Sequence, residues 1–269
     1  MTHASDPRTL SQERFGALAA NYVGSPVHSM GYTLDRLLEG VQPAPGKHAL
    51  DIATGGGHVA LGMAKAGAAV IAADLTLPML HAAQGNLAQA GVSADYLNLD
   101  AVRLPFSPAA VDVVTCRFAA HHFTDVPGFV RECARITKAG GVIGIVDQIG
   151  PADPLPANYC NAFETLRDPS HAWQYSQPEW ESFLRGVGYT VTLSEVIGVV
   201  FDLGWWTQMQ NNDPDTVIRL KVMLRQAPPE VAAWHAPEFD PADETNPIRF
   251  THRHMVLIGV LGGKISQVI

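Results

Sequence analysis

The chain has 269 residues, of which 47% are hydrophobic and 16% charged, with a formal net charge of −8. That size and apolar content bury a sizeable core. The acidic balance, with no Lys/Arg run, argues against a sequence-independent nucleic-acid binder and leaves a reader of one small RNA feature open.

Residues 10–40 read as helical, because Phe15, Ala19, Tyr22 and Val23 recur at helical spacing and Tyr32, Leu34, Leu37 and Leu38 form a second apolar face. Gly24-Ser25-Pro26 separates the two, and Pro43-Ala44-Pro45-Gly46 is a linker with turn chemistry. From Lys47 short strands alternate with helices. A strand over 49–53 meets the turn Gly55-Gly56-Gly57, then a helix over 58–65 and a second strand over 69–73 ending in Asp74. A helix over 78–89, a strand over 96–99, a fourth strand over 111–115 and a helix over 126–137 follow. Lys138-Ala139-Gly140-Gly141 carries a C-cap signal, and a fifth strand covers 142–146. Such alternation predicts an α/β fold with a parallel sheet and helices on both faces. Beyond it, 178–186 reads as helix, 189–200 as extended chain and 250–260 as a final strand. Residues 204–247, with Trp205, Trp206, Trp234 and one helix over 216–226, read as an insertion before that strand. The expected organisation is one domain: a helical cap (1–42), a core (43–203), the insertion and the last strand (248–269).

Cys116, Cys133 and Cys160 are odd in number and widely spaced, which suits neither a disulfide framework nor a zinc motif and points to a reducing, cytoplasmic compartment. Residues 1–14 lack a signal-peptide pattern, and the longest apolar run, 255–261, has the length of a buried strand.

The strand–glycine–helix passage at 51–60 points to a ligand. Glycines let backbone turn tightly and approach a bound group, and the helix N-terminus offers free N–H groups to an anion. Asp74, ending the next strand, is placed to grip two ribose hydroxyls. Gly55-x-Gly57-x-x-Ala60 satisfies the dinucleotide pattern G-x-G-x-x-G/A, so the loop alone barely separates NAD from S-adenosylmethionine.

Later pieces separate them. Asp51 sits inside the first strand, where a buried acid is costly unless it serves something. Asp100-Ala-x2-Leu104-Pro105-Phe106 follows the third strand, and Lys138-Ala-Gly-Gly141 closes the helix after the fourth. With Phe15-x3-Ala19-x2-Tyr22, Leu50-Asp51-x-Ala-Thr-Gly-Gly-Gly57 and Ala73-Asp74-Leu-Thr-x2-Met79-Leu80, this ordered set resembles class I S-adenosylmethionine-dependent methyltransferases. It is most similar to the ubiquinone/menaquinone-biosynthesis C-methyltransferases and covers about residues 12–195. Two departures, Ala53-Thr54-Gly55-Gly56-Gly57 for G-C-G-T-G and Lys138-Ala139-Gly140-Gly141 for K-P-G-G, keep the needed glycines.

The resemblance implies a Rossmann-like, doubly wound seven-stranded sheet with an antiparallel last strand, and S-adenosyl-L-methionine as cofactor. It implies that Asp74 accepts the ribose hydroxyls, Met79 packs on the adenine, and Asp100 with the Ala101 N–H reads the adenine edge. Gly55 and Gly57 would lie against the methionine moiety, with Asp51, Thr54 and Leu75 in the same motifs. Phe118 would stand where the methionine end meets the substrate, and Tyr22, with His28 as a weaker candidate, would cover that end. For chemistry the candidates are His121, His122, Asp147 and His171, which follow strands at the ligand-binding edge or lie in loops beyond it. One of His121 and His122 is expected to act as general base or to orient the nucleophile, since imidazole titrates near neutral pH. The expected reaction is methyl transfer to carbon or oxygen of a small metabolite. A non-methylating S-adenosylmethionine binder is the second reading and an NAD oxidoreductase the third. The expected partner is a small-molecule substrate, not a nucleic acid or a bilayer, with no metal ligand set. A homodimer stays open, since the aromatics of 204–247 suit a substrate wall, a partner subunit or their own helices equally.

Overall fold

The computed structural model describes residues 31–262 together with 9, 10, 12 and 14. Strands β1 (His48–Ile52), β2 (Ala69–Asp74), β3 (Asp95–Asn98), β4 (Val111–Arg117) and β5 (Thr137–Gln148) pair in parallel. Their near-continuous apolar runs suit strands covered on both faces. β8 (Asp243–Leu261) lies antiparallel between β5 and β6 (Tyr189–Asp202). The order is β3-β2-β1-β4-β5-β8-β6, a Rossmann-like path of seven strands as expected, and the short β7 (Glu238–Asp240) adds an eighth by pairing with β8.

Two cores sandwich the sheet. On one face α1 (Tyr32–Val41) lays Leu34, Leu37 and Val41 against Val146, Val256 and Ile258, beside α2 (His58–Lys65) and the Leu87 end of α3 (Leu77–Gln89). A Cβ on Gly144 would stand 2.5 Å from Leu37 and Val41 side-chain atoms, so glycine there lets α1 seat on the sheet. On the other face α4 (Val126–Ile136) buries Phe129, Val130 and Cys133 beside Trp180 and Leu184 of α6 (Gln177–Gly186). The Asp125 carboxylate caps α4 by accepting the Gly128 N–H at 2.8 Å.

The expected C-cap at Lys138–Gly141 is corrected: α4 stops at Ile136, because Thr137 pairs with Val111 and carries the backbone into β5. Lys138 reaches the Asp112 carboxylate at 2.8 Å. The late insertion is more regular than its sequence suggests. It folds as α7 (Leu203–Gln208), α8 (Pro214–Arg225), α9 (Pro229–His235) and β7. With α5 (Pro154–Arg167) these helices close a third core of Phe163, Phe201, Leu203, Trp206, Leu220, Leu224 and Phe250. The expected helix around Phe15–Val23, with Tyr22 and His28, lies outside the described residues.

Candidate functional site

From β1 the chain winds outward through β2 and β3, and from β4 it winds the other way through β5. The carboxyl ends of β1 and β4 therefore bound the crevice where an open α/β sheet binds ligands. A cleft opens there, lined by Asp51, Thr54, Gly55, Asp74, Leu75, Met79, Asp100, Ala101 and Phe118, nine of the expected binding residues.

The glycine turn shapes its floor. Gly55 stands at φ +52 and a Cβ on it would meet nothing within 4 Å, so its bare backbone faces open space. Ala53 is held at φ +54 in the left-handed region, a strained setting for a residue with a Cβ. Gly57 is a different case from the expected one. It does not line the cleft, and a Cβ on it would lie 2.9 Å from the Ala83 Cβ, so it lets α2 approach α3.

The acids of the cleft are buried and hydrogen-bonded. Asp51, 1% exposed, accepts the Thr54 and Thr115 hydroxyls, each at 2.7 Å. Burial pushes its carboxyl up to about 6 against the pull of those two bonds. Asp74 ends β2, where its carboxylate accepts the Gly55 N–H at 3.0 Å and the Thr76 N–H at 2.9 Å. Burial raises its pKa as well. Asp100 accepts the Val102 N–H at 3.1 Å and so shapes the turn that carries Ala101. Arg117, which the sequence reading missed, also lines the cleft. Its guanidinium lies 4.7 Å from the Phe118 ring centre and donates to the Thr33 hydroxyl at 3.3 Å. Burial lowers it to about 10. A basic residue at the carboxyl end of a buried strand was the available signal.

A second cavity adjoins the first across Phe118 and His122, which border both. Phe118 reaches this place at φ +53, with its N–H on the Val146 carbonyl at 2.7 Å. The far walls are Phe201, Trp205, Trp206 and Met209, with Gln148, Arg167 and Asp168 as polar groups. Of the insertion, only its first helix and the two residues after it, 205–210, contribute to these walls. Trp234 instead packs under the Arg253 guanidinium, 4.8 Å away.

The four expected catalytic residues come together, but only two face a cavity. His121 and His122 line the second one, with ring centres 4.1 Å apart. Asp147 is 1% exposed and sits behind His121, its Oδ1 2.6 Å from Nδ1. His171 is buried, with Nε2 2.9 Å from the Asn161 Oδ1 and its ring centre 5.7 Å from that of His121. Burial opposes a proton on His121, yet the Asp147 charge and hydrogen bond outweigh it and raise its pKa. Burial and the neighbouring His121 hold His122 low, and the same two causes bring His171 to about 4.

Sequence reading also missed a chain of buried polar groups at the cavity wall. The Glu164 Oε1 lies 3.0 Å from His252 Nε2, and His252 Nδ1 lies 2.9 Å from His254 Nε2. Burial works against the charged Glu164, but His252 draws its pKa down to about 2. His252 and His254 are two apart in β8, so they share one face, and that period-two spacing was legible. Their partner was not, because the helix carrying Glu164 has no distinctive periodicity. Among the described residues no cluster of His, Cys, Asp or Glu could hold a metal ion, and no helix is long and apolar enough to cross a membrane. The three cysteines are buried free thiols.

Residues 50–145 match a family model described as a methyltransferase domain. The uncharacterised methyltransferase YcgJ of Bacillus subtilis (strain 168) is 34% identical over 169 residues, which span 62% of this chain and 67% of that protein. A ubiquinone biosynthesis O-methyltransferase of Ralstonia nicotianae is 34% identical over 143 residues, 51% of this chain and 59% of the relative. Among solved structures, a protein of Bacillus halodurans C-125 superposes with a TM-score of 0.81 at 27% identity, covering 86% of this chain and 99% of that one.

Proposed function

Because the chain belongs to the methyltransferase domain family of S-adenosylmethionine-dependent enzymes, we propose that it transfers a methyl group to carbon or oxygen of a small metabolite bound in the second cavity. The observation that carries this reading is the shared border: Phe118 and His122 line both the cleft and the aromatic cavity. Two ligands seated in them would meet there.

The cleft fits the cofactor. Gly55 leaves an open cradle and Asp74 ends β2 as a lining residue of the crevice, its carboxylate held by the Gly55 and Thr76 N–H groups. Asp74 would accept the ribose hydroxyls, while Asp100 and the Ala101 N–H would meet the adenine edge. Met79 and Leu75 would flank the ring. Gly55 and Thr54 would take the methionine end, with the Asp51 charge behind Thr54, and Tyr22 would cover it. Bound S-adenosylmethionine supplies a methyl group already activated by a sulfonium. What remains for the chain is to align the nucleophile, exclude water and accept one proton.

His121 is the residue built to accept that proton. Asp147 fixes its Nδ1 as the donor nitrogen, which leaves the Nε2 lone pair to receive a proton as the acceptor oxygen or carbon takes the methyl. His122 orients the acceptor at the shared border, and His171 packs behind. Trp205, Met209 and Phe201 wall the acceptor.

Calorimetry with S-adenosylmethionine, S-adenosylhomocysteine and NAD tests the cofactor, and labelled methyl transfer to a panel of small phenols and enols tests the reaction. Tighter binding of NAD would overturn the assignment. Binding of S-adenosylmethionine with no transfer to any acceptor class would favour a non-methylating role.

A further inference from the structure

Arg14, far in sequence from the cavity residues it meets, is tied into the acceptor cavity. Its Nε lies 3.1 Å from the Asp168 Oδ1 and donates to the Gln210 Oε1 at 2.8 Å. Its Nη2 reaches the carbonyls of Arg167 and Gln210, both at 3.3 Å. Asp168 and Gln210 both line the cavity, so this contact places Arg14 at its wall.

The contact continues inward. The Asp168 Oδ1 accepts the Ser170 N–H at 2.9 Å and the Ser170 hydroxyl at 2.6 Å, and its Oδ2 accepts the Gln210 amide at 3.0 Å. A hydroxyl that gives its hydrogen to a carboxylate offers only lone pairs on its other side. The His122 Nδ1 lies on that side, 3.3 Å from the Ser170 Oγ and 3.0 Å from the Ser170 carbonyl. Both oxygens can only accept, so His122 must carry its hydrogen on Nδ1 and its lone pair on Nε2. His121, on the other flank of the ring, is held to Asp147 by its own Nδ1 and does not compete for this hydrogen.

We propose that Arg14 is a positioning residue for methyl transfer, acting through Asp168 and Ser170 to fix His122 as the Nδ1–H tautomer at the border of the two cavities. Its guanidinium bridges the Asp168 carboxylate and the Gln210 side chain and so holds the carboxylate aimed at Ser170. Without Arg14 the 168–170 turn loses that bridge to Gln210, both Ser170 acceptors can move off the His122 Nδ1, and the opposite tautomer becomes accessible. The Arg14 contact thereby sets whether the border histidine accepts or donates a hydrogen bond. The role in transfer rests on the function proposed above, but the tautomer itself does not.

The test is long-range ¹H–¹⁵N NMR of the full chain with ¹⁵N-labelled histidine, alone and with S-adenosylhomocysteine. The parent should show His122 as the Nδ1–H form. Arg14→Ala should give a tautomer mixture, while Ser170→Ala, which leaves the Ser170 carbonyl as acceptor, should keep the Nδ1–H form, with S-adenosylhomocysteine affinity retained in both. Should Arg14→Ala fold poorly, Arg14→Gln removes the charge and keeps a hydrogen-bonding stem, with the same mixture expected. A pure Nδ1–H signal in the Arg14 variant that folds overturns the proposal, as does an Nε2–H signal in the parent. Failure of S-adenosylmethionine to bind would sink the proposed function and leave this tautomer readout standing.

Discussion

Asp147 holds His121 at two points, its Oδ2 accepting the backbone N–H at 2.9 Å and its Oδ1 facing the ring Nδ1 at 2.6 Å. The carboxylate is itself inaccessible, so it can act on an acceptor only through the imidazole. Burial alone would depress the His121 pKa, and Asp147 reverses the sign. Asp147→Asn should therefore drop the His121 pKa below the ordinary histidine value, read by NMR titration. The stability this pair contributes is full below the unfolded pKa and is lost as pH rises through the raised folded pKa. The variant should lose that pH dependence. If His121 is the base, transfer should also slow by about 10²–10⁴-fold with S-adenosylhomocysteine affinity retained. An unchanged His121 titration in Asp147→Asn would contradict the pairing.

Asp51 is a place where binding and stability oppose each other. Its folded pKa stands at about 6, above the ordinary aspartate value of 3.8. An acid with a raised folded pKa binds more protons folded than unfolded, so it destabilises the fold as pH rises through that window. Asp51→Asn should raise thermal stability near neutral pH by about 1–3 kcal/mol and should weaken S-adenosylmethionine binding. The gain should vanish when melting is measured below pH 3.8, where Asp51 is protonated in both states. A variant that melts lower than the parent at pH 7 would mean the two threonine bonds outweigh burial.

On the proposed function, Asp74→Ala should cost about 1–3 kcal/mol of cofactor affinity, since two charge-assisted hydrogen bonds to ribose would be removed. Some of that loss will come from the loop, because the Asp74 carboxylate also anchors the Gly55 and Thr76 N–H groups. Asp74→Asn separates the contributions. It keeps one acceptor for the loop and removes the charge, so its affinity should fall between parent and alanine variant. Asp100→Ala should lose less than Asp74→Ala, with calorimetry deciding all three. Parent-like binding by folded Asp74→Ala would remove it from the site.

The cofactor half was legible because its signals are local. Asp51 and Asp74 lie in the last residues of their strands and Gly55 and Asp100 in the turns that follow β1 and β3, and a strand followed by a glycine turn announces itself within ten residues. At Gly57 the pattern demands a glycine, but what a Cβ there would meet, Ala83 on α3, is fixed by packing between two helices and was not legible. The acceptor half depends on partners distant in sequence. Glu164 meets His252 across 88 residues, and Arg14 meets Gln210 across 196. No periodicity links such pairs, so the second cavity could be expected near the insertion but its polar lining could not be named.

The two adjacent tryptophans of the insertion have different fates, which sharpens the expectation that 204–247 walls the acceptor. Trp206 is 3% exposed and stacks on Phe163 at 5.2 Å, with the Arg167 guanidinium 4.2 Å from its ring centre. It belongs to the third core, so Trp206→Ala should destabilise the fold by about 3–5 kcal/mol, seen as a lower denaturation midpoint. Trp205 is less buried, sits 5.6 Å from Phe201 and lines the cavity. It lies outside the stacked pair, so Trp205→Ala should leave stability closer to the parent and shift acceptor KM while S-adenosylmethionine affinity stays constant. Trp205→Phe keeps an aromatic wall and should restore most of the acceptor binding. If Trp205→Ala instead lowers stability as far as Trp206→Ala and weakens both ligands together, the helix Leu203–Gln208 is a structural brace and the acceptor must be recognised by the histidine side of the cavity alone.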